Sequence, residues 1–410
     1  MRIAISWSLK ESCYSEAPHL PAIDAVLPQD RCELEKHVQE LHTAHGTEVS
    51  FYWCYPFWVL AAQLQSQGIV VAGLRDFERQ QLQPDCIVVV DLPLQRRSLR
   101  QLQQRYSAVP LVLLVAETPL ERQAQHQQAN LYQFDAVLTY NQHLASDFAG
   151  AVLCNLPFRF PRPPELATWR QRLPQQRRQR CTYVGNAQSS GWRRSYKHAL
   201  GRWRGLPMLW QFMQGWSLSP RAAWRDEQYG AYRVRTAAVL AARSVFRQQF
   251  QLCGRGWKSG GTAWFHRLFP DRRLNLVSDE IGMQPGSKLS VLCDSTFTLA
   301  CENYLGDPGY VSEKLFDAMA AGSIPIYIGA PGSLPPQLQG VVIDWSDQPR
   351  HVLHSPRHLA ALLQQLARMP DQELWRRQQA CLNFMDQHYE RHCGLEPFLE
   401  AFGQVMQQLG

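Results

Sequence analysis

Three groups of polar residues in this chain have types and spacings that could do chemistry. The richest runs through ENYLGDPGYVSEK, where Glu302 and Asn303 stand at one end and Ser312, Glu313 and Lys314 at the other. The Ser-Glu-Lys triplet opens a helical pattern of Leu315, Phe316, Ala318 and Met319, with Ser312 at the N-cap position. Free backbone N–H groups and the positive end of the helix dipole favour an anion there, and Lys314 adds a full charge. Glu313 is placed to accept hydrogen bonds from sugar hydroxyls. A nucleotide diphosphate fits both halves, phosphates at the helix end and ribose hydroxyls on the carboxylate. A capped helix with a solvated Glu and Lys is the plainer alternative. The second group is Glu117 in VAETPLERQ, directly after an apolar run. A carboxylate at a strand end could serve as a general base if partial burial lifts its pKa toward neutrality, or it could be a cap or a loop charge. The third is Arg193 and Arg194 in GNAQSSGWRRSYK. An Arg fork binds phosphate bidentately; a surface Arg pair is the other reading.

The elements that must hold these residues follow from apolar runs and breakers. Residues 297–301 read as a strand, 303–310 as a loop with two Gly and one Pro, and Ile324–Ile328 as a second strand after a helix stopped at Gly322. Strand, helix, strand is a βαβ unit with parallel pairing. Glu302 and Asn303 then lie at the carboxyl end of its first strand, where open α/β sheets bind ligands. Upstream, Arg2–Trp7, 69–72, Cys86–Val90, Leu111–Val115 and 136–138 are short Val/Ile/Leu runs with room for helices between them. They predict a parallel sheet covered on both faces, a Rossmann-like domain. No G-x-G-x-x-G follows any of them, so a dinucleotide site lacks support. The aromatic stretch 51–64 predicts a helix after Pro56, either core or an acceptor-side wall.

The string CENYLGDPGYVSEKLFDAMAAGSIPIYIGAP closely resembles the donor signature of the α1,3/α1,4-fucosyltransferase family; with no long apolar run for the membrane anchor of the animal members, the expected form is the bacterial-type, soluble one. Members of that family read F-E-N, a short loop, Y-V-T-E-K, then A-G-x-(V/I)-P. The chain departs from it at Cys301 and Ser312. The resemblance implies that Arg193 or Arg194, Glu302, Asn303, Tyr310, Ser312, Glu313 and Lys314 bind the donor, GDP-fucose. It extends through FQLCGRGW, with Gly254 and Gly256, and through KLSVLCDSTF. E-T-P at Glu117–Pro119, ahead of FDAVLTY, resembles the family's E-S-P, whose glutamate is the proposed base; this makes Glu117 the catalytic candidate. The implied fold is α/β with GT-B architecture, two Rossmann-like domains facing a central cleft. The implied reaction is an inverting transfer of fucose to a glycan hydroxyl. A transferase using another nucleotide sugar, or a non-catalytic sugar-nucleotide or glycan-binding protein, stays open.

Composition bounds the rest. The chain has 410 residues, 45% of them apolar, a formal charge of +7 and eleven cysteines. That charge suits phosphorylated substrates without requiring nucleic acid. The cysteines are scattered, with no C-x-x-C, which fits a reduced, cytoplasmic setting. No apolar run is long enough for a transmembrane segment, though peripheral membrane contact stays possible. No two Asp residues are spaced D-x-D, so no obligatory metal is expected. The expected domains are 1–165 for the acceptor, a basic Pro/Gln/Arg linker over 166–180, 181–372 for the donor, and helices over 373–410 that pack back on the body. The Arg/Gln run of the linker reads as solvated rather than as a nucleic-acid arm. The Trp-rich insert 203–249 has no assigned role.

Overall fold

The computed structural model describes residues 1–7, 19–45, 51–156, 166–185, 206–219, 221–222, 225, 228–254, 257 and 285–409. Arg193, Arg194, Gly256, Trp203 and Trp224 lie outside the described residues. The chain folds as two compact units. One gathers Met1–Pro161, Leu206–Gln228 and Glu390–Gly410, the other Arg162–Gly205 and Tyr229–Tyr389.

Unit 1 carries a six-stranded sheet of β1 (Arg2–Trp7), β2 (Val70–Gly73), β3 (Cys86–Val90), β4 (Leu111–Val115), β5 (Ala136–Thr139) and β6 (Ala151–Leu153). Every pairing is parallel and the order is β2-β1-β3-β4-β5-β6. β3 and β4 read CIVVV and LVLLV and are buried at every position, as strands covered on both faces must be. The Phe51–Gln65 helix starts before Pro56 rather than after it, with the proline inside. Pro56 is the sixth residue of that helix, past its first turn, so the ladder forgoes one i→i−4 bond there. Tyr55, Phe57 and Trp58 of that helix are core, as the core reading of the stretch expects. Phe57 meets Trp7 edge-on at 5.4 Å and Phe398 of the terminal Leu395–Leu409 helix at 6.3 Å.

Unit 2 holds β7 (Gln179–Val184), β8 (Phe250–Cys253), β9 (Ser295–Cys301), β10 (Ile324–Ile328) and β11 (Ile343–Asp344), again all parallel, in the order β11-β10-β9-β7-β8. The chain lays β8 on one side of β7 and the later strands on the other. The crevice outside the carboxyl ends of β7 and β9 is therefore the topological switch point, where open α/β sheets bind ligands. The βαβ unit is present, with Ile324 opposite Phe297 and Ile328 opposite Cys301, and Cys301 fills a fully buried core position.

The 166–180 segment is more ordered than a solvated linker. Leu166 is buried against Leu289, Leu292 and Ala321. Arg177 is buried as well and donates to the carbonyls of Ser295 at 2.9 Å and Ala321 at 3.3 Å. A basic run predicts solvent exposure, but this guanidinium satisfies the Ala321 carbonyl at the end of the Glu313–Ala320 helix, and the helix dipole favours a cation at that end. The Asp371–Gln387 helix belongs to unit 2 and places Leu374 in its core, whereas Leu395–Leu409 belongs to unit 1.

Candidate functional site

In unit 2 the polar string closes on itself at the carboxyl end of β9. Glu302 is fully buried. One carboxylate oxygen accepts the Ser312 N–H at 2.8 Å and the other accepts the Ser312 hydroxyl at 2.5 Å. Ser312 does occupy the N-cap position, but its side chain makes no capping bond. Its hydroxyl is turned toward Glu302 instead, and the Lys314 ammonium donates to it at 3.0 Å. Lys314 also stands 3.5 Å from Glu313 and 3.9 Å from Glu302. Two loop ends and one ammonium are thus tied together.

Charge is distributed unevenly across this cluster. Burial pushes the Glu302 carboxyl up, against the opposing pull of Lys314 and Ser312. Glu313 moves the other way. Burial acts upward on it too, but the Lys314 and Lys288 ammonium groups outweigh burial and hold it at about 2, firmly ionised. Lys288 opens the KLSVLCDSTF string, which assigns it no role. It comes from the Pro285–Cys293 helix, pairs with the fully buried Asp317 and stands 4.0 Å from Glu313. Burial alone would lower its pKa, but the Asp317 and Glu313 charges more than offset that and raise it.

The loop between Glu302 and Ser312 is held from below by a second unanticipated residue, Arg235 of the Tyr232–Phe246 helix. Its buried guanidinium donates to the carbonyls of Cys301 and Glu302, at 3.2 Å and 3.1 Å, and to the Asn303 side chain. Backbone bonds from Ala231 to Asn303 and from Leu305 to Tyr229 join the same two segments. Tyr310 is buried edge-on to Tyr304 at 6.3 Å. The insert at 203–249, unplaced by sequence, therefore divides. Its second part braces this loop, while Trp216 is buried in unit 1 and donates to the Leu94 carbonyl at 3.1 Å.

In unit 1, Glu117 follows β4 directly, half-buried, and its peptide is unusually well held. Its N–H and that of Ala116 both donate to Asp91 Oδ1 at 2.9 Å. Its carbonyl accepts from Gln125 Nε2 at 3.0 Å, His126 Nε2 at 2.9 Å and the Tyr140 hydroxyl at 3.2 Å. The imidazole tautomer follows from a neighbouring cap. Asn141 caps the Gln142–Asp147 helix through Oδ1, which accepts the Leu144 N–H at 2.9 Å. Its amide nitrogen must then face His126 Nδ1, 3.2 Å away, as donor. Nδ1 accepts, so Nε2 carries the proton and donates to Glu117. Burial holds the imidazole neutral, with its pKa down at about 4. Arg122 is buried and donates to the Leu92 carbonyl at 3.3 Å; burial lowers its pKa against the pull of the Asp91, Glu117 and Glu121 carboxylates.

The structure thus brings Glu302, Ser312, Glu313 and Lys314 into contact and joins Asn303 to them through Arg235. It places Glu117 in the other unit. The class these observations define is an α/β protein of two Rossmann-like parallel sheets, the components of the GT-B architecture. No protein-family model and no curated protein matches the chain. Among solved structures it is similar to an α1,3-fucosyltransferase, at 13% identity over 99% of this chain and 90% of that one, with a TM-score of 0.48. It is also similar to a UDP-forming α,α-trehalose-phosphate synthase from Burkholderia xenovorans, at 10% identity over 81% and 76% with a TM-score of 0.46. A third is a sucrose-phosphate synthase from Thermosynechococcus elongatus, at 14% over 86% and 78% with a TM-score of 0.42. The fold class stands on the two parallel sheets themselves. No helix among the described residues is long and apolar enough to cross a membrane.

Proposed function

We propose that this protein is a nucleotide-sugar glycosyltransferase that moves fucose from GDP-fucose to a hydroxyl of an acceptor glycan with inversion. The observation that carries the reading is Lys314, held 3.0 Å from Ser312 Oγ at the start of a helix beside the switch point of unit 2. The diphosphate would lie on that ammonium and on the helix N–H groups, the ribose hydroxyls on Glu313. The choice of GDP-fucose over other donors is supported by the E-N…Y-V-S-E-K string, and the α1,3 or α1,4 linkage by the same resemblance. A cytoplasmic setting belongs to the proposal through the unpatterned cysteines.

In the reaction, Glu117 takes the proton of the acceptor hydroxyl while the oxygen of that hydroxyl bonds to the anomeric carbon. The bond from that carbon to the β-phosphate oxygen breaks, and its electron pair leaves with GDP. Charge develops on the diphosphate as the bond breaks, and Lys314 answers it without reorganisation. Either arginine of the 193–194 pair would serve the same charge.

The test separates an enzyme from a binding module. Glu117→Gln keeps size and hydrogen bonding but cannot take the proton. It is expected to lower transfer about 10²–10⁴-fold while calorimetric GDP affinity stays within a few-fold. Glu313→Ala is expected to weaken GDP-fucose by about 1.5–3 kcal/mol for each charge-assisted bond lost. GDP binding by a wild-type protein that transfers nothing across a glycan array would leave only the binding reading.

A further inference from the structure

We infer that Asp91, Gln125, His126 and Tyr140 form a clamp on the Glu117 peptide that fixes the direction of its carboxylate, and that they act as positioning residues for the acceptor chemistry. The inference rests on Glu117 being the base.

The clamp is over-determined. A backbone carbonyl has two lone pairs, yet that of Glu117 is met by three side-chain donors from three places in the chain. Gln125 is fully buried and makes three bonds with one amide. Its Oε1 accepts the Leu92 N–H at 2.9 Å, which orients the group. Its Nε2 then reaches Asp91 Oδ1 at 2.8 Å as well as the Glu117 carbonyl. Asp91 Oδ1 in turn gathers the amides of Ala116 and Glu117. Both backbone polar groups of Glu117, its N–H and its C=O, are therefore gripped, just where β4 gives way to loop.

It is also costly, and the costs coincide. Asp91 is a non-glycine residue at φ 57, a left-handed conformation that costs of the order found at strained functional positions. Its carboxylate is fully buried, and Oδ2 has no hydrogen-bond partner among the described residues. Burial pushes its pKa up against three N–H bonds and Arg122. A buried Asn or a well-packed aliphatic residue would close a strand end more cheaply. What the ionisable group adds is an acceptor strong enough to hold two successive amides and a glutamine at once. Rigid support of this kind matters to a general base because misplacement of a reacting group by about 1 Å can cost about 100-fold.

Two measurements test the inference. The first uses hydrogen–deuterium exchange on the full-length protein alone. Gln125→Leu, which keeps volume and deletes all three bonds, is expected to speed exchange of the Ala116 and Glu117 amides at least tenfold relative to those of β4. Tyr140→Phe removes one hydroxyl and serves if Gln125→Leu does not fold; it is expected to move the same amides in the same direction. The second is kinetic, with GDP-fucose and the glycan that an array returns for the wild-type protein. Gln125→Leu and His126→Phe are expected to lower kcat about 10–100-fold with KM for GDP-fucose within about twofold. His126→Gln, which can still donate to the carbonyl, is expected to restore most of the loss. In a Glu117→Gln background the same changes should cost nothing further, since there is no base left to aim. Unchanged amide exchange overturns the inference, and so does an undiminished penalty on the residual transfer of the Glu117→Gln background; if that background transfers too little to read, the exchange result alone decides. Wild-type transfer by Glu117→Gln overturns the base assignment instead, and the exchange result then decides the clamp on its own.

Discussion

Lys314 is the side chain on which the proposed chemistry leans most. Its ammonium is already fixed by Ser312 and flanked by Glu302 and Glu313 before any phosphate arrives, so it can answer developing charge without moving. Lys314→Ala is therefore expected to lower kcat about 10²–10³-fold, as loss of one preorganised charge stabiliser does. Steady-state kinetics on a variant with an unaltered circular dichroism spectrum checks this, and turnover within threefold of wild type would remove Lys314 from the mechanism. His126 supplies a pH signature. Its folded pKa of about 4 lies below the ordinary 6.5, so the unfolded chain binds the proton first as pH falls. The stability it contributes is complete above about pH 6.5 and drains away between there and about pH 4. At 1.36 kcal/mol per unit the loss is at most about 3 kcal/mol, and less to the degree that the ring reaches solvent. Urea unfolding from pH 7 to pH 4 should show wild type losing more than His126→Gln by about that margin; identical slopes would contradict the buried neutral imidazole. The residues legible in sequence were those whose partners are near in the chain. Glu302, Ser312 and Lys314 share one string, whereas Arg235 and Asp91 reach their sites only through tertiary folding and carry no local pattern; Lys288 opens KLSVLCDSTF, but its partners Asp317 and Glu313 lie on another helix.

At the scale of elements, the βαβ unit is legible in the sequence because its breaker has a mechanical role. Gly322 adopts φ +67, and a Cβ there would stand 2.7 Å from the Arg170 carbonyl and 2.9 Å from the Arg177 guanidinium. Gly322→Ala is expected to cost roughly 1–3 kcal/mol from the backbone alone, with more from the contact to Arg170. Because that contact is with backbone, the strain cannot be relieved by turning one flexible side chain. A chemical denaturation midpoint equal to wild type would show that the helix end relaxes freely. The parallel strands were legible from unbroken Val/Ile/Leu runs, which need both faces covered. β6 was not, since three residues, AVL, make too short a run to register. The 166–180 segment misled because an Arg/Gln-rich composition describes average solvation. Arg177 departs from that average by finding carbonyls at the end of a helix, a contact set by the fold and not by neighbours in sequence.

At the scale of the molecule, two separate cores imply two separable stabilities. Unit 1 is built around Trp7, Phe57, Phe398 and Phe402, unit 2 around Tyr183, Trp257, Phe297 and Leu363. The amphipathic pattern of the C-terminal helices revealed that each has a buried face but not which core receives it, and the two longest end in different units. A protein with two cores need not unfold in one step, so calorimetry is expected to resolve two transitions. Truncating Phe398 to Ala, a fully buried residue of unit 1, should lower one of them, by about 3–5 kcal/mol of that unit's stability. GDP should raise the other, because its proposed contacts are all in unit 2. At about a hundred times its dissociation constant, binding adds about 2.7 kcal/mol to whatever it stabilises. Combining Glu313→Ala with Lys314→Ala should erase that rise while leaving the Phe398-sensitive transition where it was. If GDP instead raised the transition that Phe398→Ala lowers, the nucleotide would belong to unit 1, and the assignment of phosphate to the helix that begins at Glu313 would be wrong.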